Sequence, residues 1–582
     1  MKKLLIAIWL SIAVVSTHVA KAEEVLPSGI PKAEIGDAIE SYVNAHEETT
    51  AGMAVSVFDL DGVIYENYFG FADREGDIPV DETTVFEWGS ASKIFVWIAV
   101  LQLYEDGLIE FDEDILTYLP DNYLNEFTYD TEVTMMHLFN HEAGFQDFIS
   151  GLFYPQGTEL ESLRDAIVTK QPTQIYEPGT VHGYSNWSTA LAAVIVEEVS
   201  GMSFSDYVNE HIMSPLNMEN TALLPDLSDN ESVQYARQDV GTYSTGGTRL
   251  DGLDFMIELY PAGMATSTLE DFRTFGMALL TDGDTQLFND VETHNQMLEP
   301  TKYYGDTDIG LNYHGMWSRM YAVETIGHGG STAGFSSNFL FDPVNNIGVV
   351  VMTNQQNESI YNYEMMELVF GELADSELVE YIPEPVPGIF KSMRTISEGP
   401  FKLYELTSYR LSGQGDITDF WMLVEGAQGS IIEQTQWNLV EVPTSEVIFL
   451  VVVIGSLLIG FVYSIITLVT HIVQLIRKRK KYFNSGLRII NMSAALLQIL
   501  VLINLLLFAV GVISFLPGNQ IVIFFVIFII LAILLLVTGI LLLIKNIKDK
   551  HKRHWIYFIT VYFALMTVFF IFHYNLYMFW AV

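Results

Sequence analysis

The 582-residue chain has no cysteine and few basic residues. Without cysteine no disulfide can staple a domain, and chemistry through a thiolate is excluded. Lysine and arginine number 28 against 72 aspartates and glutamates, for a net charge of −44. A surface that binds nucleic acid or anionic headgroups must offset phosphates with Lys and Arg, so the acidic bulk of the chain argues against DNA, RNA or anionic lipid as its partner. Evenly spread negative charge usually serves solubility and does not by itself name a cationic substrate. The scarce cations are also unevenly placed: eleven lie in two short segments near the C-terminus, RKRKKYFNSGLR at 477–488 and KNIKDKHKRHW at 545–555.

Apolar residues make up 50% of the chain and the mean hydropathy is +0.28, high for a soluble protein. The excess is concentrated at the two ends. Lys2 and Lys3 precede the apolar run Leu4 to Val15, and Ala20-Lys21-Ala22 follows as a small-x-small site. This pattern predicts a secretory signal peptide over residues 1–22. At the other end, four apolar stretches at 446–475, 489–514, 520–544 and 556–579 are each long enough to cross a hydrocarbon core. The loops after the first and third stretches are the two basic segments, whereas SFLPGNQ between the second and third carries no charge. Basic loops stay in the cytoplasm. Leader and loops therefore agree on a multi-pass protein of the cell membrane, with residues 23–445 outside the cytoplasm and the lipid bilayer as partner of the last segment.

Within the exported part, GMAVSVFDLDGVIYENYFGF at 51–70 predicts two strands around Asp61-Gly62. KIFVWIAVLQLYEDG at 93–107 predicts a buried or half-buried helix. Residues 131–140, 188–200 and 203–213 are expected to be helical, as is 267–281, which opens on a Ser/Thr cap and an acidic first turn. FSSNFLFDP and NIGVVVMTNQ predict two more strands around Asp342-Pro343, with a helix over 362–373. Strands from both ends of the segment and helices between them fit an α+β (mixed) domain, an antiparallel sheet flanked by helices. PEPVPG at 383–388 marks a boundary. The expected division is a catalytic domain at 30–375, a linker or small extracytoplasmic module at 376–445, in which FKLYELTSYRL and SIIEQTQWNLVEV suit strands, and a transmembrane region at 446–582.

Three segments can carry chemistry. In FEWGSASK, Ser90 and Lys93 stand three apart where the apolar helix begins, and positions i and i+3 share a helix face. The lysine amine can then reach the serine hydroxyl, although an ordinary lysine pKa of about 10.4 must fall by roughly three units for it to act as a base near neutrality. Ser92 is a rival nucleophile, and a helix cap with a surface lysine is the plainer alternative. In EPGTVHGYSNWS, Tyr184 and Asn186 are two apart and point the same way if the segment is extended. Tyrosine can shuttle protons and asparagine can bind an amide with donor and acceptor together; a packing turn gives the same letters. In GHGGSTAGFSS, His328 precedes glycines that allow close backbone approach. With Gly330 beside it, the N–H of Ser331 can join that of Ser90 in a two-donor oxyanion hole, and a plain turn between strands remains the alternative. No metal or cofactor is expected: His141-Glu142 does not open an H-E-x-x-H site, because Phe145 takes the fifth position.

Taken together, SASK at 90–93, YSN at 184–186 and HGG at 328–330 resemble the three boxes of the class C beta-lactamase and penicillin-binding-protein-like serine hydrolases. LFNHEAGF at 138–145, PLNMENTAL at 215–223, PAGMATSTLEDFRTFGMALL at 261–280 and FDPVNNIGVVVMTNQ at 341–355 are similar to framing segments of the same family. The resemblance covers about 35–375. It implies an acyl-enzyme mechanism with Ser90 as nucleophile, Lys93 as base, Tyr184 as proton shuttle, and Asn186, His328, Gly330 and Ser331 around the substrate. His328 stands where many members have lysine, a cation suited to a substrate carboxylate. Histidine is mostly neutral near pH 7, and D-residue aminopeptidases and some esterases of the family resemble this form. The expected activity is hydrolysis of an amide or ester, as a peptidase for D-amino-acid-containing peptides or an esterase. Alternatives are a D,D-carboxypeptidase or beta-lactamase, a non-turnover penicillin-binding or signalling receptor, and a prodrug-activating D-asparagine peptidase. Oligomeric state is left open.

Overall fold

Antiparallel pairing brings strands from residues 52–79 and 302–353 into one sheet. The computed structural model describes residues 24–373, apart from 48–49, 147–152, 251–254, 282, 284 and 304–307, together with 388–392, 402–412, 417–418, 439–477, 486–513, 518–548 and 555–579. The expected leader at 1–22 lies outside the described residues. Strands β1 (Gly52–Asp59), β2 (Gly62–Asp73) and β3 (Ile78–Pro79) come from the N-terminal side. Strands β4 (Lys302–Tyr303), β5 (Gly310–Tyr313), β6 (Met316–Met320), β7 (Glu324–Ser331), β8 (Ser336–Asp342) and β9 (Ile347–Thr353) come from the other side. They order as β3-β2-β1-β9-β8-β7-β6-β5-β4. The seam joining the two sets is β1 against β9, with Val55 opposite Val351.

Strand β1 is buried along its whole length because it is covered on both faces. Met53, Val55 and Val57 pack on one face with Ile35, Ile39 and Val43 of helix α1 (Ile35–Ala45) and with Met365, Met366 and Phe370. Ala54 and Phe58 point the other way, into the larger core. That core holds helices α2 (Lys93–Glu105), α3 (Asn186–Ser200) and α4 (Leu269–Ala278). Helix α2 is apolar all round and buried from Lys93 through Leu101, as suits a central helix. Ser185 caps α3 and Gly201, at φ +74°, ends it; Thr268 caps α4 over its acidic first turn. The mixed α/β domain with its antiparallel sheet and flanking helices is the architecture expected from the sequence.

Three expectations need correction. Only Met135–Phe139 of 131–140 is helical, because Thr134 is held extended by a bridge to Asp114 and caps the helix there. The segment 362–373 is no single helix: a π turn at Ile360–Glu364 gives way to Glu367–Phe370, which Gly371 ends at φ +86°. In FKLYELTSYRL, Lys402–Ser408 is a 3-10 helix and only Tyr409–Ser412 is strand. A 3-10 turn eclipses i and i+3, which lets Leu403 and Leu406 pack together against the C-terminal bundle.

Strands β10 (Gly388–Ser392), β11 (Tyr409–Ser412), β12 (Ile417–Thr418) and β13 (Leu439–Glu441) form a second sheet, ordered β12-β11-β10-β13. Only Val442 and Pro443 separate β13 from helix α5 (Thr444–Arg477). Lys391 of β10 pairs with Glu446 in the first turn of α5 at 3.5 Å. Helices α6 (Gly486–Ile513), α7 (Gly518–Lys548) and α8 (Trp555–His573) follow. All four helices are long and apolar enough to cross a membrane. Helix α8 stops six residues short of the expected 579, before Asn575 at φ +53°. Side-chain hydrogen bonds tie the helices across their interior, including Thr560 to Asn491 at 2.7 Å and Asn491 to His471 at 3.0 Å.

Candidate active site

A tight turn delivers the first two residues. Gly89 adopts φ +54° and opens a 3-10 turn, Gly89–Ser92, from which α2 starts at Lys93. This winding puts the Lys93 Nζ 3.1 Å from Ser90 Oγ. The amine is fully buried and also donates to the Ala262 carbonyl at 2.5 Å. Ser92 is otherwise engaged: its hydroxyl donates to the Gly89 carbonyl at 2.6 Å and accepts the Ala265 N–H at 3.0 Å. These two bonds fasten the turn, whereas Ser90 Oγ meets the Lys93 amine.

Tyr184 comes from the extended stretch just before the α3 cap. Its ring centroid lies 5.0 Å from Lys93 Nζ, so the first and second motifs meet across about ninety residues of chain. Asn186 is the first residue of α3 and is buried beside them. The third motif is the end of β7. A Cβ on Gly330 would fall 1.8 Å from the Trp88 carbonyl oxygen and 2.8 Å from Ser90 N. A Cβ on Gly89 would fall 2.5 Å from Ser331 N. Only glycine at both positions lets β7 lie this close to the turn, and Ser337 Oγ fastens the contact by donating to the Trp88 carbonyl at 2.6 Å. Ser90 is half-buried and Ser331 exposed, while Lys93, His328 and Gly330 are buried. The opening of the site is therefore at the two serines.

His328 reaches the Tyr184 ring at a centroid distance of 6.3 Å. Its Nδ1 donates to the Gly329 carbonyl at 2.5 Å, which leaves Nε2 as a lone-pair acceptor with no partner among the described residues. Burial, helped by the charge of Lys93, pushes the imidazole down to about 3. It is neutral throughout the physiological range.

Three residues around Tyr184 were missed by sequence reasoning. His141 lies 4.4 Å from the Tyr184 ring, Trp317 stacks on His141 at 5.8 Å, and His182 sits edge-on to both. His182 Nδ1 donates to the Asn140 carbonyl at 2.7 Å, and burial lowers its pKa to about 4. His141 was visible in LFNHEAGF only as framing. Its partners lie some forty residues away at His182 and Tyr184 and 176 residues away at Trp317, and no local spacing announces them.

An antiparallel sheet flanked by helices, with serine and lysine joined at the start of a buried central helix, defines the beta-lactamase and penicillin-binding-protein-like class of fold. The sequence profile described as Beta-lactamase matches residues 37–364, and the chain belongs to that family. Among curated proteins it is similar to penicillin-binding protein 4* of Bacillus subtilis, with 23% identity over 54% of this chain and 71% of that one. It is also similar to a beta-lactamase of Yersinia enterocolitica, with 26% identity over 52% of this chain and 82% of that one. Among solved structures, the D-amino acid amidase of Ochrobactrum anthropi SV3 overlays 58% of this chain and 97% of its own, at 22% identity and a TM-score of 0.47.

Proposed function

We propose that the chain is a membrane-anchored serine hydrolase of the class C type, with its catalytic domain at about 30–375 outside the cytoplasm, a small module at 376–445 and a membrane region at 446–582. Fold and family support serine-hydrolase activity. The observation that carries the reading is the 3.1 Å contact between Ser90 Oγ and the buried Lys93 amine. Run in the opposite direction, with the hydroxyl donating to a neutral amine, this contact is the geometry of proton abstraction. Ser90 then attacks a carbonyl and forms an acyl-enzyme. The backbone N–H groups of Ser90 and Ser331, brought together by Gly89 and Gly330, hold the oxyanion. Tyr184 passes a proton to the leaving group, Asn186 binds the substrate amide, and water releases the acyl group.

The neutral His328 sets the substrate class. It offers a lone pair where a carboxylate would need a cation. Amides beside a small D-residue and uncharged esters therefore suit the site better than a free D-alanyl terminus or a beta-lactam carboxylate. Burial keeps His328 neutral below the usual histidine pKa of about 6.5 as well, which supports the same preference in mildly acidic conditions. The names of the two curated relatives favour a second reading, action on beta-lactams. Comparing kcat/KM for matched substrates with free and amidated C-termini at pH 7.5 separates the two. The amidated substrate is expected to win, and a tenfold preference for the free acid would overturn the proposal.

A further inference from the structure

His141 occupies the left-handed backbone region at φ +53°. That conformation is unfavourable for a residue with a Cβ and persists only where the surroundings demand it. The demand here comes from three consecutive residues. The Gly183 N–H donates to the His141 carbonyl at 2.7 Å. The Ser185 N–H donates to His141 Nδ1 at 3.3 Å. Between them, the Tyr184 ring lies 4.4 Å from the imidazole at an angle of 36°. Trp317 backs the imidazole from 5.8 Å, nearly parallel at 15°. One residue thus grips the backbone on either side of Tyr184 and packs against its ring. A backbone N–H can only donate, so Nδ1 carries the lone pair and the ring proton of the neutral imidazole is on Nε2. Ser185 is in turn the cap of α3, accepting the Ser188 N–H at 3.1 Å, so the same grip fixes where Asn186 begins.

We infer that His141 is the positioning residue for Tyr184: it holds the phenol against Lys93 through its ring and through the lone pair of Nδ1. The inference rests on the reading of Tyr184 as the proton shuttle. A histidine that merely filled the core would need neither its strained backbone nor a nitrogen turned toward the Ser185 amide.

The test uses the full-length protein in detergent and a fluorophosphonate probe, reading the maximal acylation rate, the half-saturating concentration and thermal unfolding. Tyr184→Phe should lower the maximal rate by about tenfold or more. His141→Gly, which accepts the backbone conformation but loses ring and acceptor, should lower it about tenfold with half-saturation changed by less than about threefold. His141→Asn should stay within about threefold of wild type, because asparagine tolerates the left-handed region and offers Oδ1 where Nδ1 stood. In the Tyr184→Phe background, His141→Gly should cost less than about twofold, since residues acting through one another are not additive. An undiminished His141→Gly effect in that background, or failure of a folded His141→Asn to restore the rate, overturns the inference alone. A wild-type rate for Tyr184→Phe overturns the shuttle assignment and the inference with it.

Discussion

Ser90 Oγ meets a single fully buried amine, and two outcomes follow from that isolation. Ser90→Ala should abolish labelling by a fluorophosphonate, while intact-mass analysis should show no adduct on Ser92, whose hydroxyl is committed to Gly89 and Ala265. Lys93→Ala should slow acylation by about 10²-fold or more, the usual scale for a lost acid–base group, as measured by stopped-flow labelling. The buried histidines bear on stability. His328 is held down to about 3, and His182 and His314 to about 4, each mainly by burial. Unfolded, each would bind a proton near pH 6.5. Their contribution is complete above that pH and is lost as pH falls toward 4 and 3, because only the unfolded chain takes up the protons. The unfolding free energy should decline below pH 6.5 by about 1.4 kcal/mol per pH unit for each such histidine, and urea titrations at pH 7, 6 and 5 would show the slope. The proximity of Ser90 and Lys93 was suggested by the sequence, because residues i and i+3 share a face both on a helix and in the 3-10 turn that holds Ser90, although the spacing alone left a cap with a surface lysine open. His141 was not, since its left-handed backbone and its bond to Ser185 depend on a partner 44 residues along the chain.

Strand β7 and the turn before α2 touch through two glycines, the contact on which the proposed oxyanion hole of the Ser90 and Ser331 N–H groups depends. Gly330→Ala should push the strand off the turn, because its Cβ meets a backbone carbonyl that cannot rotate away. Loss of one oxyanion donor typically costs 10²–10³-fold in rate. The expected result is acylation slower by about 10²-fold, with circular dichroism close to wild type. Four of the nine strands of the large sheet were readable, β1, β2, β8 and β9, of which β1, β8 and β9 are short apolar runs bounded by turn residues; β3 and β4 to β7 were not expected, being short or lacking a continuous apolar run. The helices expected at 131–140 and 362–373 were misjudged in extent because tertiary and backbone features override periodicity: a bridge from Thr134 to Asp114 delays the start of the first, and a π turn followed by Gly371 at positive φ breaks and ends the second.

For the molecule as a whole, topology follows from where the cations lie. Protease added to intact spheroplasts should digest the acidic domain and spare the segments 477–488 and 545–553; reaction of impermeant labels placed in those segments would reverse the arrangement. The division between an acidic part and two basic loop segments was visible in the sequence, since charge placement needs no knowledge of packing. The polar ties inside the bundle were not, because Asn491, His471 and Thr560 sit on three different helices and only packing shows that they meet.

The junction between β13 and α5 leaves no slack. Val442 donates to the Ile389 carbonyl at 2.9 Å, and Pro443, with its fixed φ, accepts from Glu446 and Val447 in the first turn of the helix. The 34-residue helix α5 is thus hydrogen-bonded directly into the end of the four-stranded sheet. At 1.5 Å per residue the helix is about 50 Å long, and an inclination of about 10° swings one end by roughly 9 Å relative to the other. Helices accommodate a thinner bilayer by leaning. A change in lipid thickness is therefore expected to alter the angle of the sheet to the bilayer, and spectroscopic distances from β11 to the bilayer surface in short-chain against long-chain lipids would record it; equal distances in both would show that the sheet does not follow the helix.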